Sequence, residues 1–286
     1  MSSTITVLHP GQMGAAIAGQ AAGAGHRVLW IPVGRSDRTR GRAAAAGLVE
    51  AESLIAALAQ SSVVLSVCPP VAAEDVARQV CETGVFSGIF VDANAMSPQR
   101  AENLSLQCSE AGLRMVDGAI IGPPPSGSTR ARLYLSGEAE AVLQVAGLFA
   151  DGLVQPRPLD QPVGAASALK MAFAGYQKAA RTLVGVAHAL ADRYGVASEL
   201  INEGTAMAGP LLADREYLTT VAPRAWRWEP ELRDVAATLE GAGLPTELAL
   251  ATARVLGKWE AFKDDLDLSV EEVLAALQDR PELRRP

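Results

Sequence analysis

Through roughly the first 160 residues, short apolar runs alternate with segments whose apolar residues recur at helical spacing. The runs Ile5–Leu8, Arg27–Ile31, Val63–Val67, Ile89–Val91, Met115–Ala119, Leu133–Leu135 and Val154–Pro156 predict strands. Between them, Ala-rich amphipathic segments such as Ser53–Gln60 and Pro98–Ala111 predict helices. Strand–helix alternation implies a mostly parallel sheet covered on both faces, and the strands after Asp117 are candidates for an antiparallel extension. The pattern then changes. Gly164–Tyr194 has no proline and few glycines, and as one helix it would run about 45 Å. Helical segments follow at Ser198–Ala208, Glu229–Glu240, Thr246–Phe262 and Ser269–Gln278, the last opened by the capping-box pattern Ser269-x-x-Glu272. The expectation is an α/β fold: a doubly wound sheet domain over residues 1–160 and an all-helical domain over 161–286, with the boundary near "DQPVGAA".

Composition narrows the partners. The 286 residues are 49% hydrophobic and 20% charged with a net charge of −7, ordinary for a globular chain of two domains. Mild acidity gives no general attraction to nucleic acid or to anionic membranes. No apolar run reaches the ~18 residues of a membrane span, and Met1-Ser2-Ser3-Thr4 has no basic leader region, so a cytoplasmic location is expected. Cys68, Cys81 and Cys108 are odd in number and widely spaced, which reads as reduced thiols. His9, His26 and His188 do not cluster with them, so no metal site is expected. No G-x-S-x-G, P-loop or H-E-x-x-H is present, which leaves hydrolase and kinase readings without a motif.

The chemistry starts at "ITVLHPGQMGAAIAGQAAGAGHRVLW", a strand, a glycine turn, an Ala-rich helix and a second strand. This is the outline of a Rossmann-type dinucleotide-binding βαβ unit. The G-x-G-x-x-G fingerprint is degenerate: the positions are held by His9-Pro10-Gly11-Gln12-Met13-Gly14. Gly11 matches the glycine that lets the backbone approach the pyrophosphate, and Gly14 the one that lets helix and strand pack closely. His9 replaces the first glycine, and Pro10 is expected to hold His9 extended, making the turn as a rigid corner. The helix start after Gly11 still offers free N–H groups and a positive dipole end to a phosphate. The second strand ends in "WIPVGRSDRTRGR". Trp30–Gly34 lacks the carboxylate that would bind a ribose 2′-OH, whereas Arg35 and Ser36, supported by Arg38 or Arg40, suit a 2′-phosphate. Asp37 dissents. NADP(H) is therefore the expected cofactor. Two further strand ends, "VVLSVCPP" and "IFVDANAMSP", bring Cys68, Pro69 and Asn94 to the same crevice. Cys68 reads as a wall residue, having no cationic partner nearby in sequence.

With Gly11-x-x-Gly14, "VDANAMSP", "VDGAIIGPPP" and "GAASALK" in this order, the chain resembles the 6-phosphogluconate/β-hydroxyacid dehydrogenase superfamily, which includes the imine reductases. "GAASALKMAFAGYQKA" and "APRAWRWEPEL" resemble its 6-phosphogluconate dehydrogenase-like branch with a DUF1932 domain. The resemblance covers nearly the whole chain. It implies a Rossmann domain, a helical domain that helps build a homodimer, and hydride transfer from NADP(H) to a small-molecule substrate in an interdomain cleft. The family's catalytic lysine falls at Lys170. Its surround, "GAASAL" and "MAFAG", is almost wholly apolar, and desolvation in a cleft moves a lysine toward useful proton transfer.

Departures shape the substrate reading. Family members carry an asparagine one turn after the lysine, where this chain has Ala174. They carry a Ser-Gly-Gly carboxylate cradle where it has Ile121-Gly122-Pro123. Gln177, two turns on, could restore polarity, and Ser167, one turn before, faces the same way. Arg224, Trp226, Arg227 and Trp228 suit either an anionic or bulky substrate or domain packing. His188 lies ~27 Å along the helix from Lys170 and is excluded as its partner. The leading expectation is an NADP(H)-dependent hydroxyacid-dehydrogenase-like oxidoreductase, with Lys170 and Gln177 as catalytic candidates. The rivals are an imine reductase or reductive aminase, favoured by the missing cradle, and a non-catalytic NADPH-binding sensor.

Overall fold

The structure, a computed structural model, describes residues 2–149, 152–206 and 214–278. The chain divides into two compact units, Met1–Met171 and Ala172–Pro286. The first unit carries eight strands: β1 (Thr4–Leu8), β2 (Arg27–Trp30), β3 (Val49–Glu50), β4 (Val63–Ser66), β5 (Ile89–Asp92), β6 (Arg114–Ile121), β7 (Ala131–Gly137) and β8 (Val154–Pro158). Their order across the sheet is β3-β2-β1-β4-β5-β6-β7-β8. From β3 to β6 all pairs are parallel, β7 runs antiparallel to β6, and β8 is parallel to β7. This is the doubly wound sheet expected from the alternation, with the antiparallel extension placed after Asp117. Only the two-residue edge strand β3 goes beyond the expected set, being too short for a periodicity to register.

The helices of this unit are α1 (Gln12–Gly23), α2 (Asp37–Ala45), α3 (Leu54–Leu58), α4 (Ala73–Glu82), α5 (Pro98–Glu110) and α6 (Ala139–Gly147), and α7 (Ala165–Arg193) begins in it. Alternate strand residues enter two cores. Ile5, Val7, Leu65, Val91 and Val116 pack with Ile17, Ala18 and Val142. Leu8, Val64, Phe90 and Met115 pack with Val76, Val80, Leu104 and Cys108.

At the carboxyl edge the second face carries polar residues. Cross-strand register aligns Leu8 with Ser66, Ser66 with Asp92, Asp92 with Asp117, and Asp117 with Ser136. All four polar members are at most 1% exposed. Buried polar groups must be hydrogen-bonded, and these are. Asp117 Oδ2 accepts from Ser136 Oγ (3.1 Å), Gly164 N (2.9 Å) and Ser167 N (3.0 Å), while its Oδ1 accepts from Ser167 Oγ (2.7 Å). Ser136 Oγ accepts from Ala166 N (3.0 Å). The orphan amides at the start of α7 are thus capped by side chains from two strands. This carboxylate near a positive dipole end fixes where the helix begins.

The second unit holds the rest of α7, then α8 (Ala197–Ala206), α9 (Leu218–Val221), α10 (Ala225–Gly241), α11 (Glu247–Gly257) and α12 (Val270–Ala275). Met207 and Ala208, the end of one expected helix, lie outside the described residues. α10 starts four residues before the expected Glu229, because a 3-10 turn at Ala222–Arg224, with Pro223 near its start, leads directly into it. The expected continuous helix Thr246–Phe262 is interrupted. α11 ends at Gly257, and Trp259, fully buried, donates from Nε1 to Val273 O (2.8 Å), so the chain turns where the indole enters the core. Lys178 on α7 pairs with Glu231 on α10 at 2.7 Å, both side chains nearly buried. The capping box at Ser269–Glu272 is formed as expected.

Asp117→Ala would leave four donors without their acceptor. The expected loss is about 3 kcal/mol or more, against about 1 kcal/mol for Ser136→Ala. Urea unfolding of both variants measures it, and a loss below 1 kcal/mol for Asp117→Ala would show that α7 is held elsewhere.

Candidate active site

In the order β3-β2-β1-β4, the crossover direction reverses between β1 and β4, and ligands of open α/β sheets bind at such a switch point. The loop after β1 is built by three residues. His9 has φ +66°, which overturns the expectation that Pro10 would hold it extended. The physical cause is the hydrogen bond Gly11 N→His9 O (2.7 Å), which closes a three-residue turn around Pro10. The proline's fixed φ suits the centre of that turn, and the reversal is taken up at His9. Histidine tolerates the left-handed region better than most side chains. Gly14 is required for contact: a Cβ there would lie 2.7 Å from His9 O and 3.4 Å from Val67 Cβ. α1 therefore starts tight against the ends of β1 and β4. Its N-cap, Gly11, provides no side-chain acceptor, so the amides at Gln12 and Met13 have no side-chain cap.

Arg35 comes next to this turn. Burial and the charge of Arg35 together hold the His9 imidazole down to about 4, against a smaller opposing effect of its hydrogen bond at Leu8. Arg35 Nε and His9 Nδ1 are both buried without a hydrogen-bond partner among the described residues. Two orphaned polar atoms, one cationic, beside uncapped helix amides fit an anionic dinucleotide. Ser36 has a further task. Its Oγ caps α2 by accepting from Thr39 N (3.3 Å) and pairs with Thr39 Oγ1 (3.1 Å), leaving it exposed for contact. Arg38 is exposed on the first turn of α2, as is Asp37. Arg40 donates to Pro32 O (3.0 Å) and faces Glu50 at 3.7 Å, so it braces the loop.

Cys68 and Asn94 meet directly. Asn94 Oδ1 accepts from Cys68 N (2.6 Å), and Nδ2 donates to Ser66 Oγ (3.0 Å) and Asp92 Oδ2 (2.8 Å). Both amide protons of Asn94 are spent, so it clamps the β4 and β5 loops together. Asp92 also accepts from Asn94 N (3.1 Å). Burial pushes the Asp92 carboxyl up to about 7, with nearby Asp117 adding to the rise and Asn94 opposing it. Cys68 is raised to about 11, first by burial, which makes its thiol a wall and not a nucleophile at neutral pH. Pro69 leads into a short 3-10 turn at Pro70–Ala72.

Lys170 lies on the second turn of α7 and donates from Nζ to Ile120 O (2.7 Å), at the carboxyl end of β6. That is the sheet edge on which the loops after β1, β4 and β5 open. Ser167 does not add polarity beside it, because its hydroxyl is committed to Asp117. Gln177 is on the same helix about 10 Å further along. Its backbone and side-chain oxygens both accept from Arg181 Nη1, and Arg181 Nε donates to Tyr217 Oη (3.0 Å). The Trp-Arg stretch is engaged within its own unit. Lys263 lies 4.0 Å and Arg227 5.8 Å from the Trp226 ring centre, and Lys178 5.6 Å from that of Trp228. At the missing cradle, Ile121 is buried and Gly122 has φ +126°, with backbone of Arg130 and Ala131 closing over it. Asp117 and Ser136, which set the start of α7, have only a faint signature in the sequence. "VDGAIIG" and "LYLSG" each carry a lone polar residue in an apolar strand, and that is the available signal.

Among the described residues there is no group of three or more potential metal ligands, and no helix is long and apolar enough to cross a membrane. A family model described as the NAD binding domain of 6-phosphogluconate dehydrogenase matches residues 4–151. A second, described as a domain of unknown function (DUF1932), matches residues 191–259. No curated protein matches the chain. Solved structures do. The 3-hydroxyisobutyrate dehydrogenase of Mycobacterium tuberculosis, solved with L-serine, is 20% identical over 97% of this chain and 100% of its own, with a TM-score of 0.77. A reductive aminase from Aspergillus terreus, in complex with NADPH and ethyl levulinate, is 19% identical over 97% and 100%, with a TM-score of 0.61. A variant imine reductase from Myxococcus stipitatus, in complex with NAD+, is 19% identical over 97% and 99%, with a TM-score of 0.57. At these identities the likeness is one of fold.

The His9 ring is expected to titrate near 4 in the free protein, well below an ordinary histidine at 6.5. Unfolded His9 takes up its proton near 6.5 and folded His9 only near 4. It therefore withdraws stability progressively as pH falls through that window, and contributes nothing above it. NMR titration of the ring protons measures the midpoint. A value above 6 would show that His9 is neither buried nor beside Arg35.

Proposed function

Since the chain belongs to the family of the NAD binding domain of 6-phosphogluconate dehydrogenase, we propose that it is an NADP(H)-dependent oxidoreductase acting at a C=O/CH–OH centre, with Lys170 as proton donor and acceptor. One observation carries the reading: Lys170, held at Ile120 O by a helix whose start is pinned to β6 and β7, stands at the sheet edge where Gly11–Gly14 and Arg35 fit a dinucleotide. The α1 amides would hold the pyrophosphate, and Arg35, with Ser36 and Arg38, the 2′-phosphate. The pinned β4 and β5 loops, with Cys68, Pro69 and Asn94, would wall the crevice. A bound nicotinamide cofactor supplies hydride chemistry at carbon.

The chain's own part is to position substrate and move a proton. The Ile120 carbonyl takes one of the three N–H bonds of Lys170 and fixes Nζ in place. In reduction, an ammonium proton of Lys170 passes to the substrate oxygen as charge develops on it, leaving an amine that solvent reprotonates. In oxidation the amine takes the hydroxyl proton. Gln177, its oxygen engaged by Arg181, keeps its NH2 group for a substrate acceptor.

A second reading, reduction of C=N by an imine reductase or reductive aminase, is favoured by the Ile121-Gly122-Pro123 segment, which has no hydroxyl to cradle a carboxylate. A panel of carbonyls, with and without amines, tested with NADPH separates the two, and no turnover on any member would favour a sensor. The free thiols fit a cytoplasmic setting.

We further propose a homodimer. Phe173, Tyr176, Leu183 and Val186 are exposed along α7, and Tyr194 just beyond it, more apolar surface than one helix of a monomer ordinarily leaves to water. Light scattering at micromolar concentration is expected to give twice the chain mass, and a monomer would rule the dimer out.

NADPH is expected to bind about 10- to 150-fold more tightly than NADH, ~1.5–3 kcal/mol for the 2′-phosphate contacts. Arg35→Ala should remove most of that preference. Equal affinity for both cofactors in the parent would sink the NADP assignment.

Lys170→Met is expected to cut turnover by about 100-fold or more while leaving cofactor affinity within about twofold. Methionine keeps the volume of the stem, so folding should survive. Steady-state rates and a cofactor titration check it, and a variant as fast as the parent would show that Lys170 is not the acid.

A further inference from the structure

The stretch Cys68-Pro69-Pro70 after β4 can do little to fix its own shape. Two prolines leave it one backbone N–H, at Cys68, and Asn94 Oδ1 takes that one (2.6 Å). The carbonyl of Pro69 closes the short turn by accepting from Ala72 N (2.9 Å). The carbonyl of Pro70 is held from outside the loop, by Arg100 Nη2 at 2.8 Å. The same guanidinium makes a two-point ion pair with Glu74, Nε to Oε1 at 2.6 Å and Nη2 to Oε2 at 2.8 Å. The residues on both sides of Pro69 are therefore gripped by side chains of one segment, Asn94 to Arg100, which follows β5. Helix energetics favour one partner of the pair and oppose the other. Glu74 is in the first turn of α4, where a carboxylate meets the positive dipole end. Arg100 is in the first turn of α5, where a cation is repelled, and that turn holds no acidic residue. The contacts to Glu74 and Pro70 offset that repulsion. Hydrogen bonds from Arg100 hold the partly buried Glu74 carboxyl below the usual carboxylate range, with burial opposing, so the pair is ionised at neutral pH. A two-point guanidinium–carboxylate pair fixes direction as well as distance, and it aims the third contact at the loop.

We infer that Arg100, aimed by Glu74, is a positioning residue for the cofactor crevice: it holds the Pro69–Pro70 wall in the shape that accepts a dinucleotide, and so sets the affinity for NADP(H) by acting through the loop. The inference rests on the dinucleotide reading of that crevice. Without the latch, the loop keeps the Asn94 contact at one end only. It then samples other shapes, and the binding-competent one becomes a fraction of the population, which weakens binding by that fraction. A second ion-paired arginine on α4 provides the contrast. Arg78 pairs with Asp75 at 2.6 Å and Glu82 at 3.3 Å, but both partners are on its own helix and the group is exposed.

The test titrates the full chain with NADPH by fluorescence, well below the melting midpoint of each variant and with folding checked by circular dichroism. Arg100→Ala should weaken binding about tenfold, the loss expected when the competent loop shape falls to about a tenth of the population. Arg100→Lys keeps the charge but not the two-point geometry and should lose about threefold. Glu74→Gln should weaken binding by less than Arg100→Ala. Arg78→Ala, which breaks an ion pair that does not reach the loop, should stay within about twofold of the parent. Hydrogen exchange supplies a second readout: the amides of Cys68 and Val71 should exchange faster in Arg100→Ala, and slower in the parent once NADPH is added. A role limited to stability would lower the melting midpoint and leave both readouts unmoved. If Arg100→Ala does not fold, Arg100→Lys and Glu74→Gln carry the test. A folded Arg100→Ala that binds NADPH like the parent, an equal loss in Arg78→Ala, or weaker binding with unchanged exchange at Cys68 and Val71 would each overturn the inference while the cofactor reading stands. A parent that binds neither NADPH nor NADH would remove the cofactor reading itself, and the role of the latch with it.

Discussion

A row of four buried polar side chains, Ser66, Asp92, Asp117 and Ser136, crosses the sheet at its carboxyl edge, and the candidate site depends on it. Four such groups in an apolar layer are costly unless satisfied, and their partners are the loops and helix that build the site. Ser66 and Asp92 consume both amide protons of Asn94, whose oxygen in turn holds Cys68 N. Asp117 and Ser136 consume the first amides of α7. One half of the row shapes the walls of the crevice and the other half delivers Lys170. Burial in this row, with nearby Asp117 adding a smaller effect, is also what pushes the Asp92 carboxyl up to about 7.

The glycine turn follows a different logic. A standard fingerprint spends three glycines on a tight turn, close approach and helix packing. Here Gly14 keeps the packing role, since any Cβ would strike His9 O. The tight turn is made without glycine by placing His9 in the left-handed region and closing the peptide over Pro10. The backbone cost, on the order of 1–2 kcal/mol, is carried at the end of a fully paired central strand. The imidazole so placed is buried against Arg35 and stays neutral at physiological pH, leaving the guanidinium as the local positive charge.

The chain's departures from its relatives also become physical. The carboxylate cradle is replaced by a strand end in which the serine position is taken by buried Ile121, so the segment offers no side-chain hydroxyl. Ala174 is buried on the turn after Lys170, an apolar filling in place of an amide. The aromatic residues near position 226 are covered by Lys263, Arg227 and Lys178 of the same unit. Such cation–aromatic contacts brace the helices around α10.

The sequence by itself determined what depends on local periodicity and local chemistry. Seven of the strands, the long helix after Gly164 and the Ser269 capping box are all legible. Each rests on neighbours within a few positions. Where the chain breaks its own pattern, periodicity misplaces the ends: α10 begins early on a 3-10 turn, and the helix before Trp259 stops because an indole must enter the core. What only the tertiary structure decided were the pairings between residues 19 to 50 positions apart, Asp117 with Ser136 and Ser167, Asn94 with Cys68, and Lys170 with Ile120. A lone aspartate in an apolar strand does not say locally which partner it will meet. Its meaning comes from strand register and from the order of strands in the sheet, which bring distant positions opposite one another and oblige each buried polar group to find its partner there.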